Sequence, residues 1–256
     1  MKKVNLMDYL DEVTAFSLEH EEPAWMTELR TTALKNADES ELPHIDRVKF
    51  HRWPLLNVHM ESYVPSEGNV ASFDQMKDNP LIVQQGSFHA FEQLPASLAE
   101  QGVIFTDIFT ALQEHPELVK EYYMTKAVLP EEDKLTAAHA AFMNSGVFLY
   151  VPKNVVIEEP IESLFIQDSD SNQPFFKHVL IVADNHSEFS YLERFQSTGH
   201  HAEKASGNIV VEVIAKDGAK VKYSAVDQLG QTVTTYMNRR GYIMRDASVD
   251  WALGVM

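Results

Sequence analysis

A loose repeat of about 30 residues in the C-terminal half restricts the possible folds more than any other feature of this sequence. Three copies are visible: DNHSEFSYLE (184–193), KDGAKVKYSA (216–225) and RDASVDWAL (245–253). Each has a turn residue, a small residue and then an apolar–polar–aromatic triplet, which begins at Phe189, Val221 and Val249, 32 and 28 positions apart. A drifting period of this size favours the stacked coils of a β-helix, with an ordinary β-sandwich or barrel as the alternative.

The residues around the repeat form short β-branched runs separated by Gly, Asp, Asn and Pro. From Asn144 onward the runs are GVFLYVP (146–152), HVLIVAD (178–184), SEFSYLERF (187–195), NIVVEVIA (208–215), AKVKYSAVD (219–227) and ASVDWALGVM (247–256). PKNVVIEE (152–159) is a weaker copy of the repeat, 34 positions earlier, with Val155 and Ile157 at its apolar positions. Residues 144–256 are therefore predicted to form a parallel β-helix without helices.

Residues 1–143 carry a different pattern, which predicts a mainly helical N-terminal domain. Apolar residues recur at helical spacing in three segments: 5–18, 22–37 and 94–143. Pro23 suits the first turn of the second helix, where its missing N–H costs nothing. The stretch 43–93 contains four prolines and predicts extended segments and turns, with a short strand near 81–85.

The sequence finishes inside an apolar, strand-like run, VDWALGVM (249–256), with no turn or polar cap. A solenoid needs a cap because an open coil exposes unpaired backbone groups and apolar side chains. We therefore expect the β-helix to be truncated at its C-terminal end. We also expect the chain to form homo-oligomers through the open edges of that coil.

Charge and residue composition exclude several classes of protein. The formal net charge is −17, of which −13 falls in residues 1–143 and −4 in 144–256. Such acidity argues against a nucleic-acid binder or a protein of anionic membrane surfaces. The absence of cysteine excludes disulfides and thiolate sites in these residues. With no apolar leader after the first residues and no run of about 18 apolar residues, we expect a cytoplasmic protein.

Histidines and acids offer only weak candidates for a site, and the sequence contains none of the common catalytic motifs. His139, in an Ala-rich helix, has no His or carboxylate partner at i,i+4 spacing and is not expected to form a helical ligand pair for a metal. His178, on a strand, is interpreted as structural. Asp184 and His186 would share one face of an extended strand and form a two-residue candidate cluster. The adjacent pair His200–His201 is interpreted as part of a polar surface loop.

Basic residues are concentrated in the C-terminal part of the chain: Lys216, Lys220, Lys222, Arg239, Arg240 and Arg245. We interpret them as outward-facing strand positions, because Lys220 and Lys222 alternate with apolar neighbours. The alternative is a docking site for an acidic partner or an anionic cofactor.

Three segments resemble the SufB/SufD family of iron–sulfur cluster assembly proteins: AAFMNSGVFLYVPKNVVIEEPIES (140–163), EPAWMTELRTTAL (22–34) and GVIFTDIFTALQEHPELVKEYYM (102–124). The resemblance implies a right-handed parallel β-helix after a helical N-terminal domain. It also implies a cytosolic complex with SufB-like and SufC-like proteins, the latter an ATPase. In that complex an iron–sulfur cluster is bound transiently. The family's cluster ligands and ATPase-docking residues fall beyond Met256, so no catalytic, cofactor or metal residue is assigned here.

These observations lead to one functional hypothesis and two alternatives. The hypothesis is a non-catalytic scaffold subunit of a SufBCD-type complex. The first alternative is a β-solenoid carbohydrate-active enzyme, which would need paired carboxylates on successive coils. The polar positions of the repeat hold Ser190, Lys222 and Asp250 and do not provide them. The second alternative is a general protein-interaction module.

Overall fold

The computed structural model describes residues 5–58, 60, 79–168, 173–198 and 204–256. Its helices are α1 (Leu10–Glu19), α2 (Ala24–Glu39), α3 (Ala96–Ala99), α4 (Ile108–Glu114), α5 (Pro116–Tyr122) and α6 (Lys134–Phe142), with short 3-10 helices at Leu6–Tyr9 and Phe50–Arg52. Its strands are β1 (Leu81–Gln85), β2 (Phe88–Gln93), β3 (Ile104–Asp107), β4 (Ser145–Val151), β5 (Ile161–Asp168), β6 (Phe175–Ala183), β7 (Glu188–Thr198), β8 (Ala205–Ala215), β9 (Lys220–Gln228), β10 (Val233–Ile243) and β11 (Ser248–Val255).

The strands from β4 onward form the predicted parallel β-helix. They alternate between two sheets, so that each coil contributes one strand to each sheet. The inner sheet has the order β10-β8-β6-β4-β3, and the outer sheet has the order β11-β9-β7-β5-β1-β2. Together they make a parallel solenoid of about three turns. The antiparallel strands β2 and β3 close its N-terminal end.

The observed register confirms the repeat. Phe189 and Val249 both pair with Val221, which places equivalent residues of three coils directly over one another. The alignment of the weaker copy is wrong. A bridge between Val156 and Glu188 places Ile157 beside Phe189, so the spacing there is 32 and not 34. Beyond this bridge the spacing falls to 30, because residues 158–160 bulge before the Ile161–Tyr191 pair.

Each coil turns one corner at a residue with left-handed backbone geometry. These residues are Asn154, His186, Gly218 and Asp246, with φ values of 63°, 59°, 71° and 57°. Gly, Asn, Asp and His are the residues that tolerate this geometry best. The corners are also hydrogen-bonded to one another, since the N–H of His186 donates to Asp217 and that of Gly218 donates to Arg245. The turn residues of the repeat therefore stack over one another in a column along the solenoid and have a structural role.

The two sheets differ in burial because the helices cover only one of them. In β6 and β8 every residue is buried, since one face lines the solenoid interior and the other packs against the helical region. This explains their nearly continuous apolar sequences. In β9, by contrast, Val221, Tyr223 and Ala225 are buried and alternate with exposed or half-buried residues. The outer sheet therefore presents a solvent-facing surface.

Buried polar contacts hold the helical region together. Arg30 of α2 donates from Nε and Nη2 to the carboxylate of Glu22 at 2.7 and 2.6 Å, and from Nη1 to the carbonyl of Ala141 at 3.0 Å. At the start of α6, the Asp133 carboxylate accepts the N–H of Thr136, whose hydroxyl accepts the N–H of Asp133. The Arg30 contact ties α2 to α6, and the capping box fixes where α6 begins.

The helical segment predicted over 94–143 is only partly correct. Residues Ile104–Asp107 form β3 instead, because they pair antiparallel with β4 and cover the first coil. The predicted strand at 81–85 is confirmed as β1, but it joins the outer sheet beside β5. The strands β5 and β10 are not among the predicted runs. Most of 59–78, within the segment predicted as extended, lies outside the described residues.

The boundary at 143/144 stays a prediction. In the described ranges, no helix is long and apolar enough to span a membrane. Within the same ranges, β10 and β11 are each paired along one side only.

Candidate functional site

A fully buried polar cluster lies where the helical region meets the inner sheet. His178 of β6 and Glu212 of β8 project from the covered face of that sheet, and His139 comes from α6. The sequence predicts a structural role for His178, and the structure buries both histidines completely. Buried polar groups are hydrogen-bonded in native proteins, so the partners of this cluster define what it can do.

The cluster is a continuous line of polar contacts. Nε2 of His178 lies 3.2 Å from Oε2 of Glu212, and its Nδ1 lies 3.1 Å from Nε2 of His139. Nδ1 of His139 lies 3.1 Å from Oδ1 of Asn208, whose amide donates to the carbonyl of Leu135 at 2.9 Å. The line therefore joins β6, β8 and α6.

The carboxylate of Glu212 also anchors the connection between α5 and α6. Its two oxygens accept the backbone N–H groups of Met124, at 2.7 Å, and Val128, at 3.0 Å. Tyr123 precedes these residues and lies over the ring of His178, with 4.3 Å between ring centroids. Glu212 thus supplies the hydrogen-bond acceptors that these loop N–H groups would otherwise find in a neighbouring strand.

Burial changes the ionisation of all three side chains. It raises the pKa of Glu212 to about 7, although the N–H groups of Met124 and Val128 oppose the rise. It lowers the pKa of His178 to about 3. Burial, and to a smaller extent His178, hold the pKa of His139 well below 6.5. Both effects follow from the cost of a charge in a medium of low polarity.

A second buried cluster lies at the N-terminal end of the solenoid interior, around Lys177. Its ammonium donates to Oε1 of Gln84 at 2.8 Å, to Oγ of Ser145 at 2.9 Å and to the carbonyl of Gly86 at 3.2 Å. It also lies 4.6 Å from the centre of the Phe165 ring. Burial lowers the pKa of Lys177 to about 7.

The same cluster reaches the surface through Asp107 and His89. The amide of Gln84 donates to Oδ2 of Asp107 at 2.8 Å, which lies 3.9 Å from Nδ1 of His89. Nε2 of His89 lies 3.3 Å from Oε2 of Glu92. The hydrogen bond to Glu92 raises the pKa of His89, while burial raises that of Asp107. These contacts connect β2 of one sheet to β3 of the other.

A third charged group, centred on Arg239, lies inside the solenoid. The prediction that Arg239 faces outward is therefore wrong. Nη2 of Arg239 is 2.7 Å from Oε1 of Glu193 and 2.8 Å from Oδ1 of Asp227. On β10, Arg239 pairs with Val211, which lines the interior. Alternation therefore directs Arg239 inward. Burial opposes its charge, but the two carboxylates more than compensate and raise its pKa.

The other basic residues lie at the surface. Lys220 and Lys222 alternate with buried neighbours, which confirms their predicted outward orientation. The solvent-facing column Ser190–Lys222–Asp250 lines a groove of about 330 Å³ beside Val156. Arg240 forms an ion pair with Glu132, Arg245 with Asp217, and Lys216 with Asp184.

The predicted pair Asp184 and His186 does not share a strand face. Both lie in the corner after β6, where His186 adopts left-handed geometry. Asp184 accepts from the hydroxyl of Tyr150 at 2.7 Å and forms an ion pair with Lys216 at 2.7 Å. The weak cluster is therefore explained by a turn and an ion pair. The pair His200–His201 lies outside the described residues.

Sequence reasoning missed Lys177, Asn208 and Glu212. A signal was present, because Lys177 and Glu212 are single charged residues within apolar strands. Such a residue either faces solvent or is buried with a partner. In the described ranges no group of three or more His, Asp or Glu side chains is arranged to hold a metal ion. The assignment of no catalytic or metal residue stays a prediction.

The fold and these sites define a parallel β-helix protein whose inner sheet is covered by an N-terminal helical region. Residues 3–162 match the family model described as SufBD protein N-terminal region. Residues 165–256 match the model described as SUF system FeS cluster assembly, SufBD core domain. The chain belongs to the SufBD family.

Curated relatives agree with this assignment. Over 94% of its length the chain is 42% identical to the iron–sulfur cluster assembly protein SufD of Bacillus subtilis, of which it covers 57%. It is 28% identical over 94% of its length to a SufBD family protein of Staphylococcus epidermidis, of which it covers 55%. For a Staphylococcus aureus homologue, the identity is 27% over 91% of this chain and 53% of the relative. The chain spans about half the length of these relatives.

Proposed function

We propose that the chain acts in iron–sulfur cluster assembly by the SUF system as a scaffold without catalytic activity of its own. Its partners would be SufB-like and SufC-like proteins, with the ATPase supplying the energy and the cluster bound only transiently in the complex. We also expect this complex in the cytoplasm. The similarity to a SufD protein over nearly the whole chain supports this role.

The observation that carries the proposal is the in-register stack of coils. Equivalent residues lie over one another through four strands of the outer sheet, and charged groups tie the interior together. A stack of this kind is stiff and presents a long, regular side surface to partners. The helical region covers the other sheet, which leaves the outer sheet available for contacts.

The carbohydrate-active alternative finds no support in the outer column. Ser190, Lys222 and Asp250 stack directly, and they include one carboxylate where a glycosidase needs two. The two buried carboxylates Glu193 and Asp227 share the guanidinium of Arg239 and are closed to a sugar.

Co-expression of a full-length version, as long as the curated relatives, with SufB-like and SufC-like partners tests the scaffold proposal. We expect the tagged full-length protein to retain both partners through purification. We also expect iron and sulfide to reconstitute a visible cluster absorbance in the complex and not in the chain alone. A failure to co-purify would refute the proposal. A stable complex that never holds a cluster would favour a general interaction module instead.

A matched pair of variants tests the outer column as a contact surface. Lys222→Glu reverses an exposed charge on this column, whereas Lys120→Glu does the same on α5, away from it. If partners dock on the outer sheet, the first variant reduces co-purification and the second does not. Equal retention by both variants would exclude the column as the contact.

A further inference from the structure

The buried line of contacts between Glu212 and Leu135 has both of its ends fixed by backbone groups. At one end, the N–H groups of Met124 and Val128 act only as donors toward Glu212. At the other end, the carbonyl of Leu135 acts only as an acceptor for Asn208. The positions of the hydrogens between these ends therefore follow from the contacts themselves.

The donor and acceptor of each hydrogen bond can be assigned in turn, starting from Leu135. Asn208 must turn its NH₂ group to the carbonyl, so its oxygen faces His139 and accepts from Nδ1–H. A neutral His139 then has a bare Nε2, which accepts from Nδ1–H of His178. This leaves Nε2 of a neutral His178 without a hydrogen, and it faces an oxygen of Glu212.

A bare ring nitrogen cannot lie against an ionised carboxylate without a hydrogen between them. Nε2 of His178 has no hydrogen-bond partner among the described residues, although Oε2 of Glu212 lies 3.2 Å away, and both side chains are fully buried. Water therefore does not relieve the repulsion between the two lone pairs. Either the carboxyl of Glu212 or the ring of His178 must carry an additional hydrogen.

We propose that His178 and Glu212 together bind one proton, which completes a unidirectional hydrogen-bond line from the α5–α6 connection to α6. The pair is a proton-binding site at the junction of the helical region and the solenoid. Its occupancy keeps the two parts of the fold in register. The inference is independent of the proposed role in cluster assembly.

The surroundings favour one proton in this pair and no more. On the side of α6, His139 is neutral and offers only its bare nitrogen. From the loop, Tyr123 packs over His178 with a hydroxyl that has no partner among the described residues. Two ion-paired residues affect the cluster from farther away. Arg30, paired with Glu22, helps to lower the pKa of His139. Glu132, paired with Arg240, helps to raise the pKa of Glu212.

The directions of the pKa shifts agree with this geometry. Burial raises the pKa of Glu212 to about 7 and lowers that of His178 to about 3, so the folded pair holds one proton between these values. With the ordinary values of 4.5 and 6.5, the unfolded pair also holds one proton between pH 4.5 and 6.5. In that window the pair adds nothing to the pH dependence of stability.

The variant Glu212→Gln tests the proposal by changing the number of protons that the folded pair binds. Without the carboxyl, the folded variant holds no proton at the pair while its unfolded His178 still binds one below pH 6.5. The unfolding equilibrium constant of the variant, divided by that of the wild type, should therefore rise about tenfold per pH unit from 6.5 to 4.5. The control Glu159→Gln removes an exposed carboxyl of the bulge and should change the ratio far less than Glu212→Gln does. A constant ratio for Glu212→Gln would overturn the proposal.

A measurement on the wild-type protein keeps the test independent of how well the variant folds. The ¹⁵N shifts of the His178 ring and the ¹³C shift of the Glu212 carboxyl are read at pH 6. A hydrogen on Nδ1 with a protonated carboxyl supports the proposal, as does a doubly protonated ring. A hydrogen on Nε2 alone, or an ionised carboxyl beside a neutral ring, contradicts it.

Discussion

Arg239 of β10 and Glu193 of β7 meet inside the solenoid, with Nη2 and Oε1 2.7 Å apart. Asp227 of β9 completes the group at 2.8 Å from the same nitrogen. Two carboxylates on the outer sheet thus share one cation that crosses from the inner sheet. Because the three strands belong to different coils, this contact fastens the sheets together across the coils.

The variant Arg239→Leu should destabilise the protein by about 3–5 kcal/mol, because it leaves two buried carboxylates without a cation. Urea unfolding at pH 7 measures the change. Arg245→Leu is the control, since 80% of that side chain is exposed in its ion pair with Asp217. The control should change stability by less than about 0.5 kcal/mol. Equal losses in both variants would show that the buried group contributes no more than a surface pair.

Lys177 should give stability a specific dependence on alkaline pH. Its folded pKa of about 7 is below the ordinary value of 10.5, so between these values the unfolded chain binds a proton that the folded chain does not. Its contribution to the free energy of unfolding is therefore complete above pH 10.5. The contribution decreases steadily as the pH falls from 10.5 and is lost as the pH falls through 7. Comparing wild type with Lys177→Met at pH 7.5, 8.5 and 9.5 should show the wild type gaining about 1.4 kcal/mol per unit relative to the variant. Parallel curves would mean that Lys177 remains charged when buried.

His139 should have an effect of the same sign at acid pH. Its pKa is held well below 6.5 in the folded protein, so its contribution is present above 6.5 and is lost as the pH falls below it. The variant His139→Gln should lose stability less steeply than the wild type between pH 6.5 and 5, by about one proton. Chemical unfolding at several pH values measures the two slopes. Identical slopes would show that His139 is charged in the folded state.

Gly146 of β4 is required by a close backbone approach. A Cβ at this position would overlap the carbonyl oxygen of His178 on the neighbouring strand. Gly146→Ala should therefore destabilise the protein by about 1–3 kcal/mol in thermal or urea unfolding. At Gly254 of β11 a methyl group would lie 3.7 Å from its nearest neighbour, the carbonyl oxygen of Ala225, so Gly254→Ala serves as the control and should be nearly neutral. A neutral Gly146→Ala would show that the strands separate easily.

The sequence predicts the solenoid well because its signal is local and repeated. Phe189, Val221 and Val249 can be aligned from their neighbours alone, and the structure pairs them in that alignment. The strand β3 could not be recognised, because Ile104–Asp107 are extended only through pairing with β4. The buried polar sites were harder still to predict from the sequence. Arg239 looked like a surface residue because its carboxylate partners lie 46 and 12 positions away in sequence.

The column of left-handed corners divides the coils into a fixed side and a variable side. From Asn154 to His186 and from His186 to Gly218 the spacing is 32 residues, and from Gly218 to Asp246 it is 28. After the first coil, whose corner at 152–160 includes the bulge, the corner between the strands of one coil keeps four residues, at 184–187, 216–219 and 244–247. Between coils, six positions separate the end of β7 from the start of β8, and four separate the end of β9 from the start of β10. Evolutionary insertions, engineered epitopes or affinity tags are therefore best accommodated on the second side, where added length leaves the helical rise of the coils unchanged.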